Sequence, residues 1–390
     1  MLFSKSLLLS VLASLSFAAP VEKREKTLTL DFDVKRISSK AKNVTVASSP
    51  GFRRNLRAAS DAGVTISLEN EYSFYLTTIE IGTPGQKLQV DVDTGSSDLW
   101  VPGQGTSSLY GTYDHTKSTS YKKDRSGFSI SYGDGSSARG DWAQETVSIG
   151  GASITGLEFG DATSQDVGQG LLGIGLKGNE ASAQSSNSFT YDNLPLKLKD
   201  QGLIDKAAYS LYLNSEDATS GSILFGGSDS SKYSGSLATL DLVNIDDEGD
   251  STSGAVAFFV ELEGIEAGSS SITKTTYPAL LDSGTTLIYA PSSIASSIGR
   301  EYGTYSYSYG GYVTSCDATG PDFKFSFNGK TITVPFSNLL FQNSEGDSEC
   351  LVGVLSSGSN YYILGDAFLR SAYVYYDIDN SQVGIAQAKY

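Results

Sequence analysis

Asp93-Thr94-Gly95-Ser96-Ser97-Asp98-Leu99-Trp100-Val101-Pro102 recurs in altered form as Asp282-Ser283-Gly284-Thr285-Thr286-Leu287-Ile288-Tyr289-Ala290-Pro291. The two stretches align without a gap. Asp, Gly and Pro fall at the same places, and small hydroxyl residues answer one another at Thr94/Ser283, Ser96/Thr285 and Ser97/Thr286. The copies lie 189 residues apart in a chain of 390. That spacing predicts two related lobes, each giving one acid to a shared site. A chain this long also exceeds the roughly 250–300 residues at which one core stops growing.

The similarity extends beyond the acids. Gln169 to Gly175 (QGLLGIG) answers to Tyr362 to Asp366 (YILGD), with Leu172-Gly173 and Leu364-Gly365 at matching distances from their own Asp loops. Each half is expected to send a buried strand, ending in Gly, close to its Asp. Tyr75 to Gly82 and Lys87 to Val92 alternate as strands, the second feeding straight into Asp93. Phe128 to Tyr132 alternates too. Gly133-Asp134-Gly135-Ser136 then predicts a tight hairpin, because Asp-Gly tolerates positive φ. Short helices are expected at Leu194 to Gly202 and Ser292 to Tyr302, the latter capped by Ser292 or Ser293. Glu301 to Tyr312 (EYGTYSYSYGGY) reads as a surface hairpin. With 23 Tyr, 17 Phe and 42 Gly, the composition points to β structure.

The net charge is −16. Phosphates would be repelled, so nucleic acid is excluded as a partner. So acidic a body stays moderately charged at low pH, since protonation discharges it. There is a single His, His115, in the polar run GTYDHTKSTS. It reads as a solvated loop residue, and a Ser-His-Asp mechanism finds no placed base. Without a His pair or CxxC, no metal and no cofactor are expected.

Residues 1–18 read as a secretory signal, with Lys5 ahead of a short apolar run. Residues 19–54 read as a propeptide whose cleavage follows Arg53-Arg54. Residues 1–54 carry a net charge of +6 and the rest −22. A basic leader on an acidic body suggests electrostatic docking. Thr27 to Val34 (TLTLDFDV) should pair with the body's sheet and bring Lys35 or Arg36 near the acids. Asn43 heads the one glycosylation sequon found, Asn43-Val44-Thr45. No apolar tail follows the final strands, so no membrane anchor is expected. Cys316 and Cys350 read as one disulfide in an oxidising compartment.

Two Asp-(Thr/Ser)-Gly loops imply chemistry. Gly turns the backbone and frees amides to bond the carboxylate, while Thr94 and Ser283 can bond across to the opposite loop. Facing acids cannot both ionise, so they share a proton. One can then activate a water while the other polarises a carbonyl.

DTGSSDLWVP, YGDGSS, YDNLPLKLKDQG, YSLYLNS, LFGGSDSSKYSGSL, LLDSGTT and ILGDAFLRSAYVYYD stand in the order seen in pepsin-class aspartic proteases. The chain resembles the secreted candidapepsins of yeasts most, over about residues 65–390. The resemblance implies an all-β, bilobal pepsin-like fold with an active-site cleft and a flap hairpin, divided as an N-terminal lobe at 55–240 and a C-terminal lobe at 241–390. Asp93 and Asp282 would be the catalytic pair, with Thr94, Gly95, Ser96, Ser283, Gly284 and Thr285 in support. Tyr132, Gly133, Asp134, Gly135 and Thr286 would meet the peptide, with Trp100 a partner of Tyr132. The enzyme would be a monomeric, extracellular acid endopeptidase acting on proteins and peptides. It would be made as a zymogen, its propeptide inhibitory, with bulky apolar side chains preferred around the scissile bond.

Two departures stand out. Residues 103–120 hold no Cys, where the family usually has a second disulfide, so this loop is expected to be more mobile. Asp91 stands where an apolar residue is usual. It either faces the substrate pocket beside Asp93 or pairs with a cation. Two other readings compete: a two-carboxylate glycoside hydrolase, which leaves the duplicated loop unexplained, and an inactive binding homologue, which does not need both acids.

Overall fold

The computed structural model describes residues 25–37, 72–185, 188–215, 217–245, 251–252, 254–342 and 347–390. The signal segment, Asn43 and Arg53-Arg54 lie outside them.

The Asp repeat is a repeat of strands. β1 (Leu28–Ile37), β2 (Tyr72–Ile81), β3 (Gln86–Asp93) and β4 (Leu99–Pro102) are followed by β5 (Lys122–Ser131), β6 (Ser137–Ile149), β7 (Ala152–Gln165) and β8 (Gly170–Gly173). β8 runs parallel to β3, with Gly173 opposite Asp93, and antiparallel to β4, with Leu172 opposite Leu99. The second half repeats this. Tyr362–Leu364 is parallel to Tyr277–Leu281 and antiparallel to Ile288–Ala290. Even single bonds correspond: Gly173 N–H donates to Asp98 O at 3.0 Å, and Gly365 N–H to Leu287 O at 3.2 Å.

Glycine is obligatory at both junctions. A Cβ on Gly173 would stand 2.4 Å from Asp98 N, and one on Gly365 2.1 Å from Thr285 O. Real Cβ atoms do not approach backbone so closely, which explains the shared Leu-Gly.

β9 (Ala208–Tyr212), β10 (Ser220–Phe225) and β11 (Tyr233–Asp241) lead toward the second half. The closing strands Ala372–Asp377 and Gln382–Ala388 return to pair with β9 and β11, making one sheet of 13 strands. The division at residue 240 therefore runs through a sheet built by both ends of the chain. Among the described residues the second half adds one five-stranded, two four-stranded and one two-stranded sheet. Apolar alternation fills the core between them, as in Phe323–Phe327, whose three Phe are buried.

The leader strand is present. β1 lies between β10 and β2, antiparallel to both. Leu30 and Phe32 enter the core, each worth about 1.5–3 kcal/mol by apolar burial. Lys35 has the opposite parity. It is exposed and forms no ion pair among the described residues. The leader docks through ladder bonds and apolar side chains, and the described residues show no electrostatic docking by Lys35. At its start Glu25 pairs with Lys206, and Lys26 N–H bonds Asp205.

Helices form at Leu194–Asp200 and Ser292–Tyr302. The second is capped by Pro291 with no side-chain bond, so neither Ser292 nor Ser293 plays the expected part. The Tyr-rich stretch is a hairpin, Thr304–Ser306 with Gly311–Ser315. No described helix is long and apolar enough to cross a membrane.

Cys316 and Cys350 are bonded, with Cα atoms 4.9 Å apart and a sequence separation of 34. Replacing both by Ser is expected to cost about 3–4 kcal/mol on the chain-entropy account. Guanidinium unfolding of the double variant, compared with wild type under non-oxidising and oxidising conditions, checks this.

Candidate active site

The end of β3 and the end of Tyr277–Leu281 deliver Asp93 and Asp282 to the same point. Both are fully buried. Their closeness follows from Gly284: a Cβ there would lie 2.5 Å from Asp93 Oδ1. The loop that carries one acid thus rests on the other acid.

Four hydrogen bonds cross between the loops in reciprocal pairs. Thr94 N–H donates to Ser283 Oγ at 3.1 Å, and Ser283 N–H to Thr94 Oγ1 at 2.9 Å. Each hydroxyl then donates onward into the opposite half, Thr94 to Leu281 O and Ser283 to Val92 O, both at 3.0 Å. Every group is buried, so each bond also avoids the cost of an unpaired donor.

The carboxylates are held alike. Gly95 N–H donates to Asp93 Oδ1 at 2.7 Å, and Gly284 N–H to Asp282 Oδ1 at 2.9 Å. Support from the third residue differs. Thr285 Oγ1 donates to Asp282 Oδ2 at 2.7 Å. Ser96 Oγ stands near Asp93 and favours its ionised form without an aligned bond. Burial pushes the Asp93 carboxyl well above its usual range, and the charge of Asp282 pushes it further.

The hairpin between β5 and β6 carries Tyr132 at its shoulder. Tyr132 is buried, and Trp100 Nε1–H donates to its hydroxyl at 2.6 Å. Its phenol lies close enough to Asp93 to feel that charge. Gly135 takes φ +99°, and Asp134 accepts from Ser136 N–H at 2.8 Å, so the Asp-Gly turn forms as read. Gly133 is half-buried; Asp134 and Gly135 are exposed. Thr286 is buried on the Asp282 loop, its carbonyl taken by Ala367 N–H.

Asp91 takes neither of its two expected environments in full. It is buried, and its Oδ1 accepts from Tyr75 N–H at 2.8 Å, with Gln169 beside it. No cation pairs with it among the described residues. Burial pushes its carboxyl up to about 7.

Several supports come from residues with no motif. Asn179 Nδ2 donates to Gly95 O at 2.7 Å, and Tyr191 OH to Asp98 Oδ1 at 2.6 Å. Tyr376 OH reaches Leu281 O at 3.5 Å, beneath the clasp. Asn179 does follow GLLGIG closely in sequence; the two Tyr carry no comparable signal. Among the described residues no group of three or more His, Cys, Asp or Glu could hold a metal.

The family model described as eukaryotic aspartyl protease matches residues 74–388. Aspartic proteinase yapsin-3 of Saccharomyces cerevisiae is 41% identical over 346 residues, covering 83% of this chain and 68% of the relative. Candidapepsin-3 of Candida albicans is 41% identical over 348 residues, covering 84% and 82%. Secreted aspartic protease 8 of Candida albicans is 39% identical over 416 residues, covering 100% and 96%.

Thr94→Val removes the hydroxyl but keeps the shape, leaving the buried Ser283 N–H unpaired. A loss of about 1–3 kcal/mol is expected, with Thr94→Ser near wild type. Chemical denaturation of both variants checks the difference.

Proposed function

This chain belongs to the eukaryotic aspartyl proteases and is an aspartic endopeptidase, and we propose that Asp93 and Asp282 act as one proton-sharing pair on a water molecule. The observation that carries the reading is the reciprocal clasp, which holds two buried carboxylates in one place. Two like charges this close cannot both ionise, so one proton is kept.

The ionised member takes a proton from water, and the protonated member hydrogen-bonds the peptide carbonyl. The hydroxide adds to carbon, giving a tetrahedral intermediate. Transfer of a proton to the nitrogen releases the amine. No covalent enzyme intermediate forms. Support comes from Thr94, Gly95, Ser96, Ser283, Gly284 and Thr285. Tyr132 to Gly135 act as the flap over a peptide, with Thr286 on the opposite wall. Bulky apolar side chains are the proposed preference around the scissile bond.

We further propose a secreted, extracellular, monomeric protein with the lobes divided near residue 240. Residues 1–18 serve as its signal. The leader 19–54 acts as an inhibitor removed after Arg53-Arg54, and it carries any glycan at Asn43. β1 supports a zymogen, because a strand in the middle of a sheet is held on both sides.

Acid working conditions are supported by buried carboxyls outside the pair. Burial pushes Asp98 up to about 6, Asp91 and Glu158 to about 7 and Glu180 to about 9. Folded values above the unfolded ones mean that stability is fullest in acid and declines as pH rises through this range.

Protein hydrolysis should be greatest in acid and fall as pH climbs through the raised range of Asp93. Asp93→Asn should abolish turnover, by at least about 10³-fold, while leaving the circular dichroism unchanged. Retained turnover would falsify the assignment. Asp91 is proposed to favour basic or small side chains beside the bulky apolar ones. Asp91→Val should redraw the cleavage map of a peptide library; identical maps from variant and wild type remove this role.

A further inference from the structure

The segment between β4 and β5, residues 103–121, has no cysteine, yet it is closely fastened. The ring of Tyr113 is buried edge-on against Phe159. Gln86 exchanges two bonds with the backbone of Asp114, at 2.9 and 3.0 Å. The single His of the chain does not behave as a free loop residue. His115 Nδ1 lies 2.8 Å from Asp161 Oδ2, and its ring stacks on Tyr121 with centroids 4.7 Å apart. The His115 side chain is 42% exposed, whereas that of Asp161 is only 4% exposed.

This segment touches both edges of the candidate site. Tyr110 O accepts from Gln89 N–H on β3, the strand that ends in Asp93. Ser107 O accepts from Gln165 Nε2, and Gln165 pairs with Ala138 at the base of the flap hairpin.

We propose that the His115–Asp161 contact, backed by Tyr121, sets residues 103–121 and the flap base for substrate binding. The inference rests on the peptidase reading above. His115 is a positioning residue; it does not touch the dyad.

The surrounding charges show why this contact falls to His115. Asp141 stands opposite Asp161 in the β6–β7 ladder, and Glu145 bonds Ser118 and Ser120. The cations nearby are committed elsewhere, Lys123 to Asp141 and Lys117 to Asp114. Tyr113 and Tyr121 are neutral throughout. His115 is therefore the side chain left to partner the buried Asp161. Burial raises the Asp161 carboxyl, while His115 draws it back down. Removing the His115 side chain would leave the buried Asp161 facing Asp141, with the Tyr121 hydroxyl at 3.5 Å beside it.

Amide exchange makes the test direct: in the full chain carrying Asp93→Asn, residues 103–121 should exchange slowly. His115→Gln should exchange fast at every pH, and His115→Arg should stay protected at neutral pH. In the active protein, His115→Gln should raise KM in acid about three- to tenfold with kcat within about twofold. Exchange that ignores both His115 variants, or a loss confined to kcat, overturns the inference. Absence of any proteolysis by wild type would sink the peptidase reading instead, and the exchange measurement would still report on the contact.

Discussion

Two like charges held together in a dry interior cost free energy unless something forces them to meet. Here that force is the pair of reciprocal hydrogen bonds between Thr94 and Ser283, extended to Leu281 O and Val92 O. Each bond joins one half of the chain to the other. Breaking any one strands a buried backbone donor or hydroxyl, so the halves can separate only by losing several at once. The acids are thus positioned by their neighbours, and their mutual repulsion is kept as a raised proton affinity.

The strands explain how the clasp can be so symmetric. Each Asp lies at or next to the end of a strand running parallel to a partner that closes on a Leu-Gly pair. Backbone packs on backbone at Gly173 and Gly365, where no side chain fits. The loops are therefore set by sheet geometry. Differences enter only outside this frame: Thr285 holds Asp282 through its hydroxyl, while Ser96 acts on Asp93 more loosely. The two carboxyls are therefore not held equivalently.

The same economy extends to the leader and the edge of the site. β1 completes a sheet between β2 and β10 that also receives the final strands of the chain. Among the described residues its hold is mainly by ladder bonds and apolar side chains, and Lys35 makes no ion pair there. Buried carboxyls at Asp91, Asp98 and Glu180 share one tendency with Asp93: all retain protons longer than free acids. A body with net charge near −22 folds around groups that prefer to be neutral in acid.

Much of this was written locally and could be read locally. The repeated Asp-(Thr/Ser)-Gly, the Leu-Gly echo, the Asp-Gly turn and the cysteine pair each encode short-range geometry, and the resemblance to candidapepsins joined them into a family. Long-range placement had no such local code. That Asn179, Tyr191 and Tyr376 brace the loops depends on strands meeting far apart in sequence. Asp91 shows the limit best: alternation could say which face it occupied, but only packing could supply the Tyr75 amide that bonds it. Likewise His115, polar neighbours and all, read as solvated until the fold brought Asp161 beside it. Sequence determined which turns and strands form, because those are decided by neighbouring residues; tertiary structure decided the partners of the buried charges, because a charge is paired by whatever the fold sets against it.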